Sequence, residues 1–223
     1  MRLKTIFPAL LIFILVLSHI SRGYSQNLVP NPSFENYTTC PSTYGQIPLV
    51  AWQKPVGHTG SADCFNICNG GGLGVPNNTF GNQMPATGNG YCGIITYHYS
   101  GNFREYLQVQ LTQALVAGQC YDVCLKWSTA ENYPRYSSNN LGVHISNGAI
   151  TGPGNAPINV VPQILSPVGT LLEDRTNWQT LCGTYTASGG EQWITIGNFY
   201  NDANTTLNTT YTPTASFNAA YYF

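Results

Sequence analysis

Charged side chains are scarce in this sequence. Asp, Glu, Lys and Arg make up 8% of the 223 residues, whereas soluble proteins average about 25%. Three of the eight Lys and Arg residues precede residue 26, so five remain beyond it beside all nine acidic residues, a net charge of about −4. Nucleic acids are bound by clustered Lys and Arg. We therefore expect no nucleic-acid partner, and no attraction to anionic lipid for the same reason.

Long apolar runs are missing beyond residue 25, so we expect no transmembrane segment in the mature chain. The one apolar run, residues 6–17, is short for a membrane span and follows the basic Arg2 and Lys4. A small residue, Ser25, ends this region, as signal peptidase prefers. The pattern predicts a cleaved signal peptide over residues 1–25 and a secreted or cell-surface protein, with an uncleaved membrane anchor as the alternative.

Helix signals are nearly absent, and residues 26–223 read as strands joined by turns. In residues 121–128 the odd positions are apolar and the even ones mostly polar, which is typical of a half-buried strand. Further strands are predicted at residues 91–98, 104–111, 141–145, 178–186 and 193–199. Regularly spaced strands without helices predict an all-β sandwich or barrel, here one domain over residues 26–223. Residues 219–223 read as a strand being entered, so we expect the chain to continue past Phe223.

Seven cysteines lie beyond residue 25, an odd number that leaves at least one thiol outside any pair within the chain. Export permits disulfides. We expect Cys40 to pair with Cys68 in a long loop region rich in Gly and Pro. Cys120 and Cys124 share the outer face of one predicted strand, so either could bridge to Cys182 if the two strands are neighbours. Zinc binding by the two Cys-x3-Cys pairs is the alternative.

The start of the mature chain carries a resemblance. Residues 27–35 read Asn-Leu-Val-Pro-Asn-Pro-Ser-Phe-Glu. Further segments that fit lie at residues 75–78, 88–94, 104–107, 117–123, 189–191 and 195–199. Together they resemble a β-sandwich module of secreted and outer-membrane proteins of Bacteroidetes, and they are similar to carbohydrate-binding modules of galactose-binding-like fold. The resemblance covers most of residues 27–223 and implies a single jelly-roll β-sandwich.

The same resemblance implies a cofactor. In the sugar-binding modules the Glu that matches Glu35 often helps to hold a structural calcium, with backbone carbonyls and a late Asp. In these families the last strand commonly continues into Ile-Asp-Asp-Val, and this chain stops at Phe223, so the acidic pair is absent here. Calcium needs several oxygen ligands. The alternative is that Glu35 makes a local hydrogen bond at a strand end.

Sugar binding calls for rings that stack on the sugar and for polar groups that meet its hydroxyls. The loop at residues 131–136 combines both types, and loops on a rigid sandwich often carry binding residues. Its candidate ligand residues are Glu131, Asn132, Tyr133, Arg135 and Tyr136. Tyr97, Trp52 and Arg104 complete the predicted site. The alternative places such rings in the core and gives Arg104 a structural salt bridge.

No catalytic motif is present, and no catalytic residue is assigned. A glycosidase needs two carboxylates about 5–9 Å apart, which Glu105 and Glu131 could supply. We therefore expect a noncatalytic, exported cell-surface module that binds a polysaccharide or cell-surface glycan, or mediates attachment. A structural or adhesion spacer without a small ligand and a jelly-roll glycoside hydrolase are the alternatives.

Overall fold

The computed structural model describes residues 26–60, 62–132, 134–208 and 218–223. The predicted signal peptide, residues 1–25, lies outside this part of the chain. The strands are β1 (Trp52–Gln53), β2 (Val56–His58), β3 (Asp63–Asn66), β4 (Asn77–Asn78), β5 (Gly81–Asn82), β6 (Gly90–His98), β7 (Leu107–Gln110), β8 (Cys120–Thr129), β9 (Ser137–Ser138), β10 (Leu141–Ser146), β11 (Thr151–Gly154), β12 (Ile164–Leu165), β13 (Gln179–Thr186), β14 (Trp193–Asn198), β15 (Leu207–Asn208) and β16 (Asn218–Tyr222). A 3-10 helix spans Asp202–Asn204.

Two five-stranded antiparallel sheets form the sandwich. The first has the order β1-β7-β14-β10-β12 and the second the order β13-β8-β16-β6-β3. The C-terminal strand β16 lies at the centre of the second sheet, between β6 and β8. The all-β prediction is confirmed, and the particular jelly-roll assignment stays a prediction. Among the described residues, no helix has the length and hydropathy needed to cross a membrane.

The central core lies between the inner faces of the two sheets. In the first sheet, Ile145, Ile194 and Val109 are direct neighbours on adjacent strands, and all are buried. In the second sheet, Leu181 and Tyr221 are buried in the same cluster. Within each strand the core residues lie two positions apart, because successive side chains of a strand point to opposite faces. Full burial of an aliphatic side chain of this size stabilises the folded state by about 1.5–3 kcal/mol relative to exposure.

Three disulfides link strands and loops. Cys124 and Cys182 are opposite each other on β8 and β13 and form the outer-face bridge. Cys40 pairs with Cys68, and both sequence predictions are thereby confirmed. A third bridge joins Cys64 of β3 to Cys92 of β6 within the core.

The zinc alternative is wrong. Cys64, Cys68 and Cys124 each belong to a different disulfide, so neither Cys-x3-Cys pair has two free thiolates to bind zinc. Cys120 keeps an exposed free thiol at the start of β8.

Two additional layers cover the outer faces of the sheets. The β4–β5 hairpin lies over the second sheet, where the Asn78 side chain donates to the Tyr91 hydroxyl at 2.8 Å. The parallel pair β2 and β11, with the segment after it, lies over the first sheet, where the Ile158 amide donates to the Tyr106 hydroxyl at 3.1 Å. Outer-face polar residues such as Gln108 are therefore fully buried.

Candidate functional site

The loop at residues 131–136 is fastened to two neighbouring segments at one end of the sandwich. The Glu131 carboxylate accepts the amide hydrogen of Asn82 at 3.0 Å, and the Asn132 amide donates to the Phe80 carbonyl at 2.8 Å. From the other side, Arg175 donates to the Glu131 carbonyl at 2.8 Å. The β8–β9 loop thus connects the β4–β5 hairpin to the segment that precedes β13.

Glu131 approaches the hairpin closely because glycine occupies position 81. A Cβ at Gly81 would overlap the Glu131 carboxylate. Burial raises the pKa of Glu131, while hydrogen bonds from backbone amides and the charge of Arg175 lower it. The carboxyl group therefore binds protons at a higher pH than an exposed glutamate does.

Trp178, which immediately precedes β13, also contacts the segment that follows the β4–β5 hairpin. Its indole nitrogen donates to the Met84 carbonyl at 2.7 Å, and its ring makes an edge contact with Tyr91 at 5.8 Å between centroids. The Gln83 amide, oriented to satisfy both of its neighbours, donates to Glu131 and accepts from the Trp178 indole, each at 3.0 Å. The Trp178 ring is half-buried and held at several points.

We call this surface the hairpin rim. It contains the half-buried Trp178 and Glu131 together with the exposed Asn82, Asn132 and Met84. A partly exposed ring, two exposed amides and a carboxyl group are thus placed side by side. Rings and convergent polar groups of this kind are what ligand sites use to fix a polar ligand.

The other predicted residues form a second chain of contacts. Arg135 lies over the Tyr136 ring at 5.9 Å, Tyr136 contacts Tyr97 edge-on at 5.6 Å, and Arg104 lies over Tyr97 at 5.9 Å. The structure therefore brings together four of the predicted ligand residues. Burial raises the pKa of the Tyr97 hydroxyl. Tyr133, which also belongs to the predicted loop site, lies outside the described residues.

Arg104 and Trp52 lie in the interior of the protein. Arg104 is 0% exposed and donates to the Tyr200 carbonyl at 2.8 Å and to Asp202 at 2.8 Å. Trp52 is 5% exposed, its ring contacts the tilted Phe34 ring at 4.8 Å between centroids, and its indole nitrogen donates to the Asn31 carbonyl. Neither side chain offers an open face to a ligand.

The two glutamates of the glycosidase alternative are both held by backbone amides. Glu105 is 7% exposed, and its carboxylate accepts from the Ile95 amide at 2.8 Å. Glu131 is bound by the hairpin as described above. Because Glu105 is buried, it has no open face toward a substrate.

Glu35 lies beside the turn that precedes β6. One carboxylate oxygen accepts from the Asn89 amide at 2.8 Å, and the other is buried with no hydrogen-bond partner. Gly88 has a φ of +64°, and a Cβ there would overlap this carboxylate. In the described part of the chain, no three His, Cys, Asp or Glu side chains cluster into a metal site.

Sequence reasoning missed Trp178, Asn82 and Met84. Trp178 opens a predicted strand, and it is 94 residues away from its backbone acceptor in the hairpin. The sequence does hold one indication of a site at Trp178, because a run of polar residues precedes it. A ring at the junction of a loop and a strand is well placed for binding.

Comparisons with known proteins add little to this description. No family model and no curated protein matches the chain. Among solved structures, an arabinose-bound GH51 α-L-arabinofuranosidase is 13% identical with a TM-score of 0.42, over 87% of this chain and 25% of that one. The K2 cleaved adhesin domain of Lys-gingipain is 12% identical with a TM-score of 0.38, over 81% of this chain and 92% of that one. The chain spans about a quarter of the arabinofuranosidase, and these scores carry no statement of function.

Proposed function

We propose that this protein is an exported, noncatalytic module that binds a glycan, or attaches to a glycan-bearing surface, through the hairpin rim. Export is supported by the three disulfides, which form and persist in oxidising compartments. One observation carries the binding site: the partly exposed ring of Trp178 is fixed beside the exposed amides of Asn82 and Asn132.

In this proposal the apolar face of a sugar ring stacks on the indole, and the amides bond its hydroxyl groups. The edge contact with Tyr91 and the hydrogen bond to Met84 hold the indole in place before the ligand arrives. Ordering a free side chain at an interface costs about 0.5–1.5 kcal/mol. A site that is already ordered avoids that cost, which favours binding of an extended, uncharged polar ligand.

The first test is a glycan-array screen of the purified protein, followed by calorimetry with a glycan that binds. We expect Trp178→Ala to weaken binding at least tenfold, because the stacking surface is lost. Trp193→Ala is the matched control, since Trp193 is a partly exposed tryptophan on β14. Asn132→Ala, at an exposed side chain, tests the rim without removing a ring. Equal affinity of the wild type, Trp178→Ala and Asn132→Ala would disprove the rim assignment.

The same screen separates the alternatives. A folded protein that binds no glycan supports the attachment or spacer function, with a protein as the partner. Release of reducing sugar from a bound glycan, abolished by Glu131→Gln, supports the glycoside hydrolase.

We further propose that calcium binds at Glu35. The support is the buried carboxylate oxygen without a hydrogen-bond partner. With a single carboxylate, the affinity should resemble that of extracellular modules, roughly 10⁻⁴–10⁻³ M. Backbone carbonyls would have to supply most of the remaining ligands, because Glu35 belongs to no group of three His, Cys, Asp or Glu side chains among the described residues.

Calcium at about ten times its dissociation constant should stabilise the wild type by about 1.4 kcal/mol, which raises the melting temperature by roughly 3–6 °C. Glu35→Gln should abolish this increase, whereas Asp122→Asn, at an exposed side chain of β8, should retain it. Differential scanning calorimetry with calcium and with magnesium measures both. An equal calcium response in the Glu35→Gln variant would exclude this site.

A further inference from the structure

The four edge strands of the two sheets differ in length. In the described part of the chain, β1 and β12 have two residues each, β3 has four, and β13 has eight. Short edge strands are one of the ways in which proteins prevent pairing with other chains. By this measure three edges are protected and the edge of β13 is not.

The β3 edge is also covered by neighbouring groups. The Tyr37 hydroxyl donates to the Phe65 carbonyl at 3.0 Å, and the Asn66 amide donates to the Leu73 carbonyl at 3.1 Å. In the ranges that the structure describes, β13 pairs with β8 alone.

The sequence of β13 carries none of the usual features that block edge pairing. It contains no proline and no Asp, Glu, Lys or Arg. Its register with β8 runs one-for-one from Gln179 opposite Trp127 to Thr186 opposite Cys120, without a bulge. Charges, prolines and bulges are the features that make an edge strand unsuitable as a template.

The alternation of hydrogen bonds shows which backbone groups face outward. Ala187, which continues the register of β13, donates to the Gln119 carbonyl at 2.9 Å and accepts from the Gly118 amide at 2.8 Å. In an antiparallel pair, residues alternate between hydrogen-bonding to the partner strand and pointing away from it. The odd residues therefore bond β8, and the even residues present their N–H and C=O groups at the open edge. The side chains of these even residues, Thr180, Cys182, Thr184 and Thr186, are all exposed.

We propose that β13 pairs in antiparallel orientation with β13 of a second copy of this chain. The pairing joins two five-stranded sheets into one of ten strands and forms a two-fold symmetric dimer. This inference does not depend on the proposed glycan binding.

Side-chain pairing favours a second copy in a register centred on Cys182. Thr180 is then opposite Thr184 of the partner subunit, and cross-strand Thr pairs are favourable. Within each subunit Lys126 is opposite Thr180 and Asp122 is opposite Thr184. The two-fold axis therefore places Lys126 in the same row as Asp122 of the partner subunit, three strand spacings or about 14 Å away, where salt screens most of their attraction.

Such a contact is small, because one strand pair buries far less than the roughly 1,600 Å² of a standard interface. The dimer should therefore form in the upper micromolar to millimolar range and be favoured where copies are crowded. Sedimentation equilibrium over that range measures it. A Cys120→Ser background excludes dimers made by the exposed thiol.

Thr184→Pro is the decisive variant. Proline removes the N–H that faces the open edge while leaving the hydrogen bonds between β13 and β8, and edge strands tolerate proline in this position. Thr184→Ala is the matched control, since both variants lose the hydrogen bond from the Thr184 hydroxyl to Asp122. We expect Thr184→Ala to dimerise like the wild type and Thr184→Pro to weaken dimerisation at least tenfold.

Thr184→Lys is a second variant that places a charge at the edge without changing the backbone, should the proline variant fail to fold. A wild type that stays monomeric at millimolar concentration would overturn the proposal. Equal dimerisation of Thr184→Pro and Thr184→Ala, both with wild-type melting temperatures, would overturn it as well.

Discussion

Replacing Arg104 with alanine is expected to lower the free energy of unfolding by about 3–5 kcal/mol. The side chain is 0% exposed, and its guanidinium holds the segment that follows β14. It donates to the Tyr200 carbonyl, to the Thr205 hydroxyl and to the Phe103 carbonyl, and it forms an ion pair with Asp202. Alanine leaves these acceptors buried without their donor, which costs more than the loss of the contacts themselves.

Urea unfolding at fixed pH measures this loss. Lys126→Ala is the control for removal of a cation, because Lys126 is exposed on β8 and such surface changes remain within about 0.5 kcal/mol. Asp202→Asn keeps the volume and removes the charge of the partner, so it should cost less than Arg104→Ala. A loss below about 1 kcal/mol in Arg104→Ala would mean that the segment after β14 does not depend on this guanidinium.

Strands β8 and β13 were predictable because each has one face toward the core and one exposed face over most of its length. The alternation in residues 121–128 corresponds to β8, and the further strand predicted at residues 193–199 corresponds to β14; the inner faces of both pack in one core. The predicted strand at 104–111 is shorter in the structure, because β7 spans only Leu107–Gln110. Arg104 and Glu105 lie outside it, and they are held by contacts with the segment after β14 and with β6, which alternation does not record.

Strand alternation likewise predicted a disulfide only where the bridge joins two clearly alternating strands. Cys124 and Cys182 lie on two strands in which apolar and polar residues alternate, and this alternation placed both cysteines on the outer face of the sheet. Cys64 lies on the four-residue strand β3 within a region rich in Gly and Pro, and its bridge to Cys92 was not predicted. A strand that short has too few alternating positions to reveal its face.

The candidate site was predictable only in part, because half of it comes from the outer layer. The loop at residues 131–136 was identified from its composition, and the structure confirms that it lies at the end of the sandwich beside other loops. The β4–β5 hairpin that completes the hairpin rim contributes two residues per strand. Its position depends on Asn78, whose side chain binds Tyr91 and Tyr222 across the sheet, and sequence alone does not indicate that contact.

Asp63 provides the second large effect, through the dependence of stability on pH. Its carboxylate lies at the start of β3, faces a small cavity that Glu105 also lines, and accepts from the Gly45 amide at 2.6 Å. Burial raises its pKa from 3.8 to about 6, although the hydrogen bond from Gly45 acts in the opposite direction. The folded protein therefore binds this proton more tightly than the unfolded chain does. Its contribution to stability is fully present below pH 4 and is lost as the pH rises through 6.

Asp63→Asn should stabilise the protein by up to about 3 kcal/mol at pH 7.5, since a pKa difference of about two units corresponds to that free energy. Asparagine is neutral like the protonated acid, and its side-chain oxygen can still accept from Gly45. At pH 4 the two proteins should differ little, because Asp63 is then protonated in the folded state. Urea unfolding at pH 4, 5.5 and 7.5 gives the difference between variant and wild type at each pH.

Taking that difference removes the other titrating groups from the comparison. His58 is one of them: burial lowers its pKa, which weakens the fold as the pH falls, in both proteins equally. Asp122→Asn, which removes a carboxylate at an exposed side chain, is the control. Destabilisation by Asp63→Asn at pH 7.5 would contradict the prediction. It would mean that the folded protein stabilises Asp63 as an anion, with the hydrogen bond from the Gly45 amide outweighing the cost of burial.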